Sequence, residues 1–132
     1  MDIYFSKNHR KFLMKAHIIF VVKYRKKLLI DLSIDKDVKN SIKTTKGDFS
    51  IELIESDKDH IHMLISYDPK ISITQIIRKL KQQSTIDVWK KHMKKLRKHF
   101  WKEKTFWTDG YFVCSIGNAS EHIIRNYISS QG

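Results

Sequence analysis

Residues 60–67 most constrain the fold of this chain, because histidine and apolar residues alternate at the start of the segment. It reads His-Ile-His-Met-Leu-Ile-Ser-Tyr. Since neighbouring side chains of a β-strand point to opposite faces, His60 and His62 share one face and Ile61 and Met63 share the other. Two adjacent imidazoles can hold a divalent metal, although such a pair can also be two ordinary, half-exposed histidines.

The rest of the chain divides into strand and helix patterns joined by short connections. A β-branched and aromatic run around Phe20 predicts a central strand, and spaced apolar residues predict helices. The apolar stripe of the long helix changes phase around residues 82–85, which predicts a kink or two helices. Asn118 has the position of a cap for the last helix, with Glu121 as its capping-box partner. The predicted elements are strand 14–24, helix 31–46, strand 50–55, strand 60–67, a long helix from Ile71, strand 111–116 and a final helix.

This β-α-β-β-α-β-α order predicts an α+β sandwich of ferredoxin-like or RRM-like form. We expect one domain over residues 1–132, with helices on one face of a four-stranded antiparallel sheet. The strand 60–67 should lie centrally or beside the first strand, with His60 and His62 on the open face away from the helices. The residues expected to face the helices are Ile61, Met63 and Ile65.

The composition indicates a globular domain that binds a polyanion. With 132 residues, of which 41% are hydrophobic, the chain can bury a core. Its net charge of +12 and its pI near 9.8 favour nucleic acid or an anionic surface as partner. It has no apolar run of the roughly 20 residues that span a bilayer, and its N-terminus lacks the apolar segment of a signal peptide. Cys114 is the only cysteine, so no internal disulfide can form. Together with the lack of a spanning or signal segment, this predicts a reducing, cytoplasmic setting and no membrane partner.

Tyr127 and Gln131 lie four residues apart in a helical pattern, so they share a face of the last helix. A tyrosine phenol can attack a phosphate if a metal or a nearby base activates it. The alternative is structural, because Tyr127 falls in an apolar stripe with Ile123, Ile124 and Ile128, and an aromatic residue there is often core. Gln131 could offer its amide oxygen to a metal or could be a solvated residue.

Basic residues concentrate between residues 78 and 104, and large aromatic residues are interspersed among them. Lysine and arginine would neutralise phosphates, and exposed aromatic rings could stack on unpaired bases. The alternative is a solvated helix face above core aromatics. The interspersed aromatic residues are Trp89, Phe100, Trp101, Phe106 and Trp107. The candidate DNA-binding residues are Arg25, Arg78, Lys79, Lys81, Gln82, Gln83, Ser84, Lys90 and Lys91.

Taken together, these motifs resemble the small single-tyrosine HUH transposases of bacterial and archaeal insertion sequences, the TnpA or IS200-like type. Residues 59–65 match the family's His-hydrophobic-His strand, and residues 17–25 resemble its first strand and basic turn. Residues 106–117 look like the segment before the catalytic helix, and the Tyr127 and Gln131 pair matches Tyr-x-x-x-Gln. The resemblance covers nearly the whole chain in the right order.

The resemblance implies a site and a chemistry. His60, His62 and Gln131 would coordinate one Mg²⁺ or Mn²⁺, which would polarise the scissile phosphate of single-stranded DNA. Tyr127 would attack that phosphate, giving a 5′-phosphotyrosine and a 3′-hydroxyl. Because the bond energy stays in the phosphotyrosine, the strands could be rejoined without ATP.

The resemblance also implies partners. Family members are homodimers with joined sheets, in which the tyrosine of one subunit often serves the histidine pair of the other, and they read subterminal DNA hairpins. Such a protein would work in the cytoplasm, associated with the nucleoid. Residues 81–85 depart from the family's Lys-Gly-x-Ser-Ser-like run, so contacts with a hairpin would differ.

Three other functions fit the same residues. A domesticated or repeat-processing HUH nuclease would nick hairpins without moving an element. A non-catalytic nucleic-acid-binding module would bind DNA without metal and would tolerate Tyr127→Phe. A phosphoesterase that uses activated water would also cleave after Tyr127→Phe.

Overall fold

The computed structural model describes residues 14–116 and 121–130 of the chain. Their element order is the predicted β-α-β-β-α-β-α, with short 3₁₀ turns at Lys23–Arg25 and Leu28–Ile30 after the first strand. The elements are β1 (Met14–Val21), α1 (Leu32–Thr44), β2 (Phe49–Asp57), β3 (His60–Tyr67), α2 (Ile73–Arg97), β4 (Phe112–Ser115) and α3 (Glu121–Ser129). The α+β class and the order of elements are therefore confirmed, and β3 has the predicted bounds.

The strands form one antiparallel sheet in the order β2-β3-β1-β4, so β1 and β3 are central as expected. In the register between them, Ile18 is opposite Met63 and Ile19 is opposite His62. The register between β2 and β3 shifts by one residue between Ile51 and Leu53. This β-bulge keeps apolar residues of β2 on the core face on both sides of the irregularity.

The helices α1 and α2 cover one face of the sheet. Ile61, Met63 and Ile65 of β3 are completely buried in this core, which confirms the predicted orientation of the strand. The helices contribute a continuous apolar layer to it, in accordance with their spacing. The buried apolar residues of α1 and α2 are Ile34, Val38, Ile42, Ile76, Ile77, Leu80, Val88, Trp89 and Leu96.

The opposite face of the sheet is covered by α3, so the expectation of helices on one face only is wrong. This helix contacts β2 and β3, and its Ile128 is completely buried. On the same face, His62 is 1% exposed and Leu64 is buried, so the histidine face is not the open surface that we expected. The amphipathic pattern placed an apolar stripe on α3, but it did not tell which face of the sheet would receive it.

The predicted break in α2 is also wrong in position. The helix continues through residues 82–85, and the residue with non-helical dihedral angles is His92, at φ −128° and ψ 31°. Ser84 occupies the buried face of the helix at the apparent change of phase, and its hydroxyl accepts a hydrogen bond from Trp107. A polar residue thus continues the buried stripe where the apolar pattern is interrupted. The helix begins with a capping box between Ser72 and Gln75. The predicted cap at Asn118 lies outside the described residues.

Within the described part of the chain, no helix is both long and apolar enough to cross a membrane.

Candidate functional site

The two histidines of β3 form the centre of the site. His60 and His62 lie on the same face of the strand, and their ring centroids are 4.8 Å apart in an edge-to-face arrangement. His62 is buried under α3, while His60 is half-buried at the end of the strand. The predicted sharing of a face is therefore confirmed.

Asp59 and Arg25 hold His60 in place. The Nδ1 atom of His60 is 2.8 Å from Oδ1 of Asp59, and Nε of Arg25 donates to Oδ2 of the same carboxylate at 3.1 Å. Partial burial opposes ionisation of Asp59, but hydrogen bonds from His60 and Arg25 outweigh it and keep the pKa of the carboxyl below its ordinary value. A carboxylate at Nδ1, here that of Asp59, fixes the orientation of the imidazole ring and leaves the lone pair on Nε2.

His17 of β1 is a member of the site that the sequence did not indicate. Its ring stacks on that of His62, with centroids 5.3 Å apart, and its Nε2 is 3.1 Å from Nδ1 of His62. Burial lowers the pKa of His17, which favours the neutral ring. A usable signal was present, because alternation along β1 puts His17 on the face opposite the buried Ala16 and Ile18.

Tyr127 lies on α3 directly over the histidines. Its ring is in edge-to-face contact with His62, with centroids 5.3 Å apart, and the centroid of His17 is 6.1 Å away. The side chain is 49% exposed, so it is not the core aromatic of the alternative interpretation. The apolar stripe of α3, on which that interpretation rested, is only partly buried, since Ile123 on the same helix is 59% exposed.

A network of charged side chains fastens α3 to the sheet beside the site. Lys15 of β1 donates to Glu121 of α3 at 2.9 Å and to Glu52 of β2 at 3.4 Å. Arg125 pairs with Glu121 at 2.9 Å and also with Glu52. Hydrogen bonds from Lys15 and Arg125 lower the pKa of the Glu121 carboxyl. The network thereby positions the helix that carries Tyr127.

His60 and His62 supply two nitrogen donors of a metal site. The described residues contain no group of three His, Cys, Asp or Glu side chains that could hold an ion, and Gln131, the predicted third ligand, lies outside them. His60 is held at Nδ1 by Asp59, and His62 contacts His17 through its Nδ1. Two imidazoles fit Mn²⁺ better than Mg²⁺, because Mg²⁺ prefers oxygen ligands.

Five of the predicted DNA-binding residues are exposed on α2: Arg78, Lys79, Gln82, Lys90 and Lys91. Arg78 and Gln82 of this set line an open cleft of about 660 Å³, together with Lys104. Such a cationic cleft next to uncharged donors is suited to a phosphate backbone.

The other four predicted DNA-binding residues have partners within the protein, as Lys79 and Lys91 also do through the Lys46 carbonyl and Asp37. Ser84 is completely buried, donates to the Leu80 carbonyl and accepts from the indole of Trp107, so its assignment to DNA is wrong. The ammonium of Lys81 donates to three carbonyl oxygens of residues 108–110, and burial lowers its pKa. Gln83 donates to Asp87, and Arg25 is the partner of Asp59.

Comparison with known proteins places the chain in a family. The family model described as "Transposase IS200 like" matches residues 10–131. The transposase for insertion sequence element IS200 of Salmonella typhimurium is 26% identical over 125 residues, which cover 93% of this chain and 80% of that protein. The ISDra2 transposase TnpA of Deinococcus radiodurans is 27% identical over 120 residues, covering 89% of this chain and 84% of that protein.

Solved structures share the fold. A candidate transposase from Deinococcus radiodurans R1 superposes with a TM-score of 0.69 at 22% identity, covering 92% of this chain and 93% of that one. A REP-associated tyrosine transposase bound to a REP hairpin gives a TM-score of 0.56 at 14% identity, covering 92% of this chain and 67% of that one. Because the family match spans residues 10–131, this chain belongs to the IS200-like transposase family.

Proposed function

We propose that this protein is a metal-dependent transposase that cleaves and rejoins single-stranded DNA at the ends of an insertion sequence through a phosphotyrosine on Tyr127. One observation carries the proposal: the ring of Tyr127 contacts that of His62, at 5.3 Å between centroids, while half of the tyrosine side chain remains exposed. The phenol is thus beside the histidine pair and accessible to a DNA strand.

The chemistry is a transesterification. The phenolic oxygen of Tyr127 attacks the scissile phosphorus, and the bond from phosphorus to the 3′-oxygen breaks. The phenolic proton is lost, the departing strand ends in a 3′-hydroxyl, and the 5′ phosphate is esterified to the tyrosine. One ester replaces another, so a 3′-hydroxyl of a second strand can reverse the step without ATP.

The proposed cofactor is Mg²⁺ or Mn²⁺, held by His60 and His62 with Gln131 as the third ligand. A bound divalent ion supplies Lewis-acid polarisation of the scissile phosphate. The chain's own residues orient the ligands: Asp59 holds the ring of His60, and His17 holds that of His62. The ion network of α3 keeps Tyr127 against the pair.

The proposed partners are single-stranded DNA with subterminal hairpins and a second copy of the chain. The hairpin is supported by the structural neighbour that is bound to one. The dimer is supported by β4, which pairs with β1 on one side and carries four exposed residues, including Phe112 at 72% exposure. Joining two such edges would extend the sheet.

In a dimer, Tyr127 could serve the histidine pair of its own subunit or that of its partner. In the described conformation Tyr127 lies against the histidines of its own chain. An active site in trans would require α3 to leave the surface that its ion network occupies. A transposase of this kind would work in the cytoplasm, at the nucleoid.

The test is covalent capture. The protein is incubated with Mn²⁺ and labelled single-stranded DNA from both ends of its genomic locus, then resolved on a denaturing gel, with EDTA and Tyr127→Phe in parallel. We expect a metal-dependent adduct that vanishes with Tyr127→Phe and persists with Tyr111→Phe, a control at another partly exposed tyrosine. Cleavage without an adduct would indicate activated water, and binding without cleavage would indicate a purely binding protein.

A further inference from the structure

A second cleft, of about 540 Å³, lies where the turn after β1 meets the segment that follows α2. The turn contributes Tyr24 and Lys26, and the segment contributes Phe100, Trp101 and Lys102. None of these residues belongs to the tyrosine–histidine site. Phe100 and Trp101 are two of the aromatic residues that the sequence suggested for base stacking, whereas Tyr24 and Lys26 had no predicted role.

Two large aromatic side chains flank this cleft in an exposed state. Tyr24 and Trp101 are each 72% exposed, whereas Trp89 and Trp107, also within the basic part of the sequence, are each 4% exposed. Leaving so much ring surface in water forgoes the favourable free energy of burying it. Exposed aromatic surface at a cleft is typical of a binding site.

The backbone holds Tyr24 in this position in an uncommon conformation. Its φ is 61° and ψ is 17°, and the φ of Arg25 is 53°, both in the left-handed region that bulky residues seldom adopt. The turn is secured because the amide of Arg25 donates to Val22 at 2.8 Å and the amide of Lys23 donates to Phe106 at 2.8 Å. The backbone that carries the exposed ring is therefore held in place before any ligand arrives, which lowers the entropy lost on binding.

The charge of the cleft favours an anion. Lys26 and Lys102 line it, and the ammonium of Lys102 lies 5.2 Å from the centroid of the Trp101 ring. Glu103 also lines the cleft, but Lys23 pairs with it at 3.3 Å. Flat apolar rings beside lysines match a nucleotide, which joins a flat base to an anionic phosphate.

The same turn connects the cleft to the histidine pair. Arg25, next to Tyr24, donates to Asp59 at 3.1 Å, and the other carboxylate oxygen is 2.8 Å from Nδ1 of His60. The turn that presents the tyrosine ring is thus separated from His60 by one carboxylate.

We propose that this cleft binds an unpaired base of the single-stranded DNA, which stacks on Tyr24 and Trp101 while Lys26 and Lys102 neutralise its flanking phosphates. The inference rests on the proposed function, since it assigns a place to the same substrate strand. It makes Tyr24 a residue that recognises unpaired bases without reading their sequence, because every base has a flat face.

The test separates base stacking from phosphate binding. Binding of a labelled oligothymidylate and of an abasic strand of the same length is measured at one salt concentration, in EDTA and in the Tyr127→Phe protein. Tyr24→Asn removes the ring with a residue that tolerates the left-handed backbone, and Tyr24→Phe keeps the ring. Trp101 fluorescence reports occupancy, since this tryptophan alone of those described is exposed.

We expect Tyr24→Asn to weaken oligothymidylate binding about tenfold and to leave the abasic strand unaffected. Tyr24→Phe should restore binding, and Lys26→Gln should weaken both probes equally. Wild-type binding that does not distinguish the two probes, or an equal loss for both with Tyr24→Asn, would overturn the proposal. So would an unchanged affinity of Tyr24→Asn for oligothymidylate.

The result is independent of the test of the proposed function. Base-dependent binding at Tyr24 without any covalent adduct on locus DNA would leave this inference intact and reject the phosphotyrosine mechanism. A covalent adduct together with base-independent binding would support the phosphotyrosine mechanism and reject the base-binding cleft.

Discussion

His17 and His62 sit on adjacent central strands with their rings stacked, and Nε2 of His17 lies 3.1 Å from Nδ1 of His62. This contact parallels the one between Asp59 and His60, so each histidine of β3 is held at Nδ1 by a second residue. Partners of this kind orient metal ligands, and their loss typically weakens metal affinity about 10- to 100-fold. His17 is therefore a positioning residue for the proposed metal site.

We predict that His17→Phe weakens Mn²⁺ binding at least about tenfold, because it keeps a ring for stacking but removes the nitrogen that holds His62. His17→Gln should restore part of the affinity, since an amide can replace the ring nitrogen. Metal binding is measured by titration with Mn²⁺ and electron paramagnetic resonance, without DNA. His99→Asn, at an exposed histidine away from the sheet, is the control. Unchanged affinity in His17→Phe would remove His17 from the site.

The ion network around Arg125 should govern how firmly α3 rests on the sheet. Glu52→Gln weakens the contact of Arg125 with β2, and we expect amide exchange in residues 121–130 to become about fivefold faster, corresponding to about 1 kcal/mol. Hydrogen exchange with mass spectrometry measures this by segment. Glu103→Gln breaks an exposed pair with Lys23 instead and should leave α3 unchanged. Equal exchange in both variants would mean that the contact between Arg125 and Glu52 does not hold the helix, which leaves the Lys15–Glu121 pair and the burial of Ile128 to do so.

Ser84 and Trp107 form a buried polar contact between α2 and the segment before β4, with 2.9 Å between the indole nitrogen and the hydroxyl oxygen. Ser84→Ala leaves the indole N–H buried without this partner, so we expect a loss of about 1–3 kcal/mol in the free energy of unfolding. Urea unfolding measures the loss, and DNA affinity should not change in the folded protein. In the Trp107→Phe background the same substitution should cost less. Gln82→Ala, at an exposed position of the same helix, should leave the free energy of unfolding unchanged.

The sequence predicted the strands and helices well because their signals are local. Alternation in β3 and the apolar spacing of α1 and α2 depend on neighbouring residues only, and both were confirmed. The side of the sheet on which α3 packs was missed because an amphipathic stripe says that a face is buried, not against what. The real partners, Glu52 and Lys15, are distant in sequence.

The candidate site was likewise predicted only in part from the sequence. The sharing of a face by His60 and His62 follows from strand geometry, and the position of Tyr127 over them fits the family motif. His17 was missed because alternation along β1 gives only its face, whereas its contact with His62 depends on the pairing of β1 with β3. Ser84 was misassigned because it was grouped with the uncharged donors beside it in a basic stretch, whereas the fold buries it against Trp107.

A final prediction concerns acid stability at the start of α1, where Asp31 accepts from the amides of Ser33 and Ile34 and pairs with Lys95 at 2.7 Å. The bond from Lys95, followed by that from the Ile34 amide, lowers the pKa of the carboxyl from 3.8. Because the folded state favours the ionised form, its stabilisation is complete above the unfolded pKa and disappears as the pH falls through the lower, folded pKa.

Asp31→Asn keeps a good capping side chain but removes the charge, so we expect it to cost about 0.5–1 kcal/mol at pH 7. That difference from the wild-type protein should shrink as the pH is lowered from 5 towards 3, and it is measured as the shift in urea midpoint at each pH. Lys95→Gln removes the same pair from the other side and should follow the same pH profile, whereas Lys94→Gln, an exposed neighbour, controls for net charge. A cost that stays constant from pH 7 to pH 3 would mean that the Asp31 charge contributes nothing and that the variant acts only through the geometry of the cap.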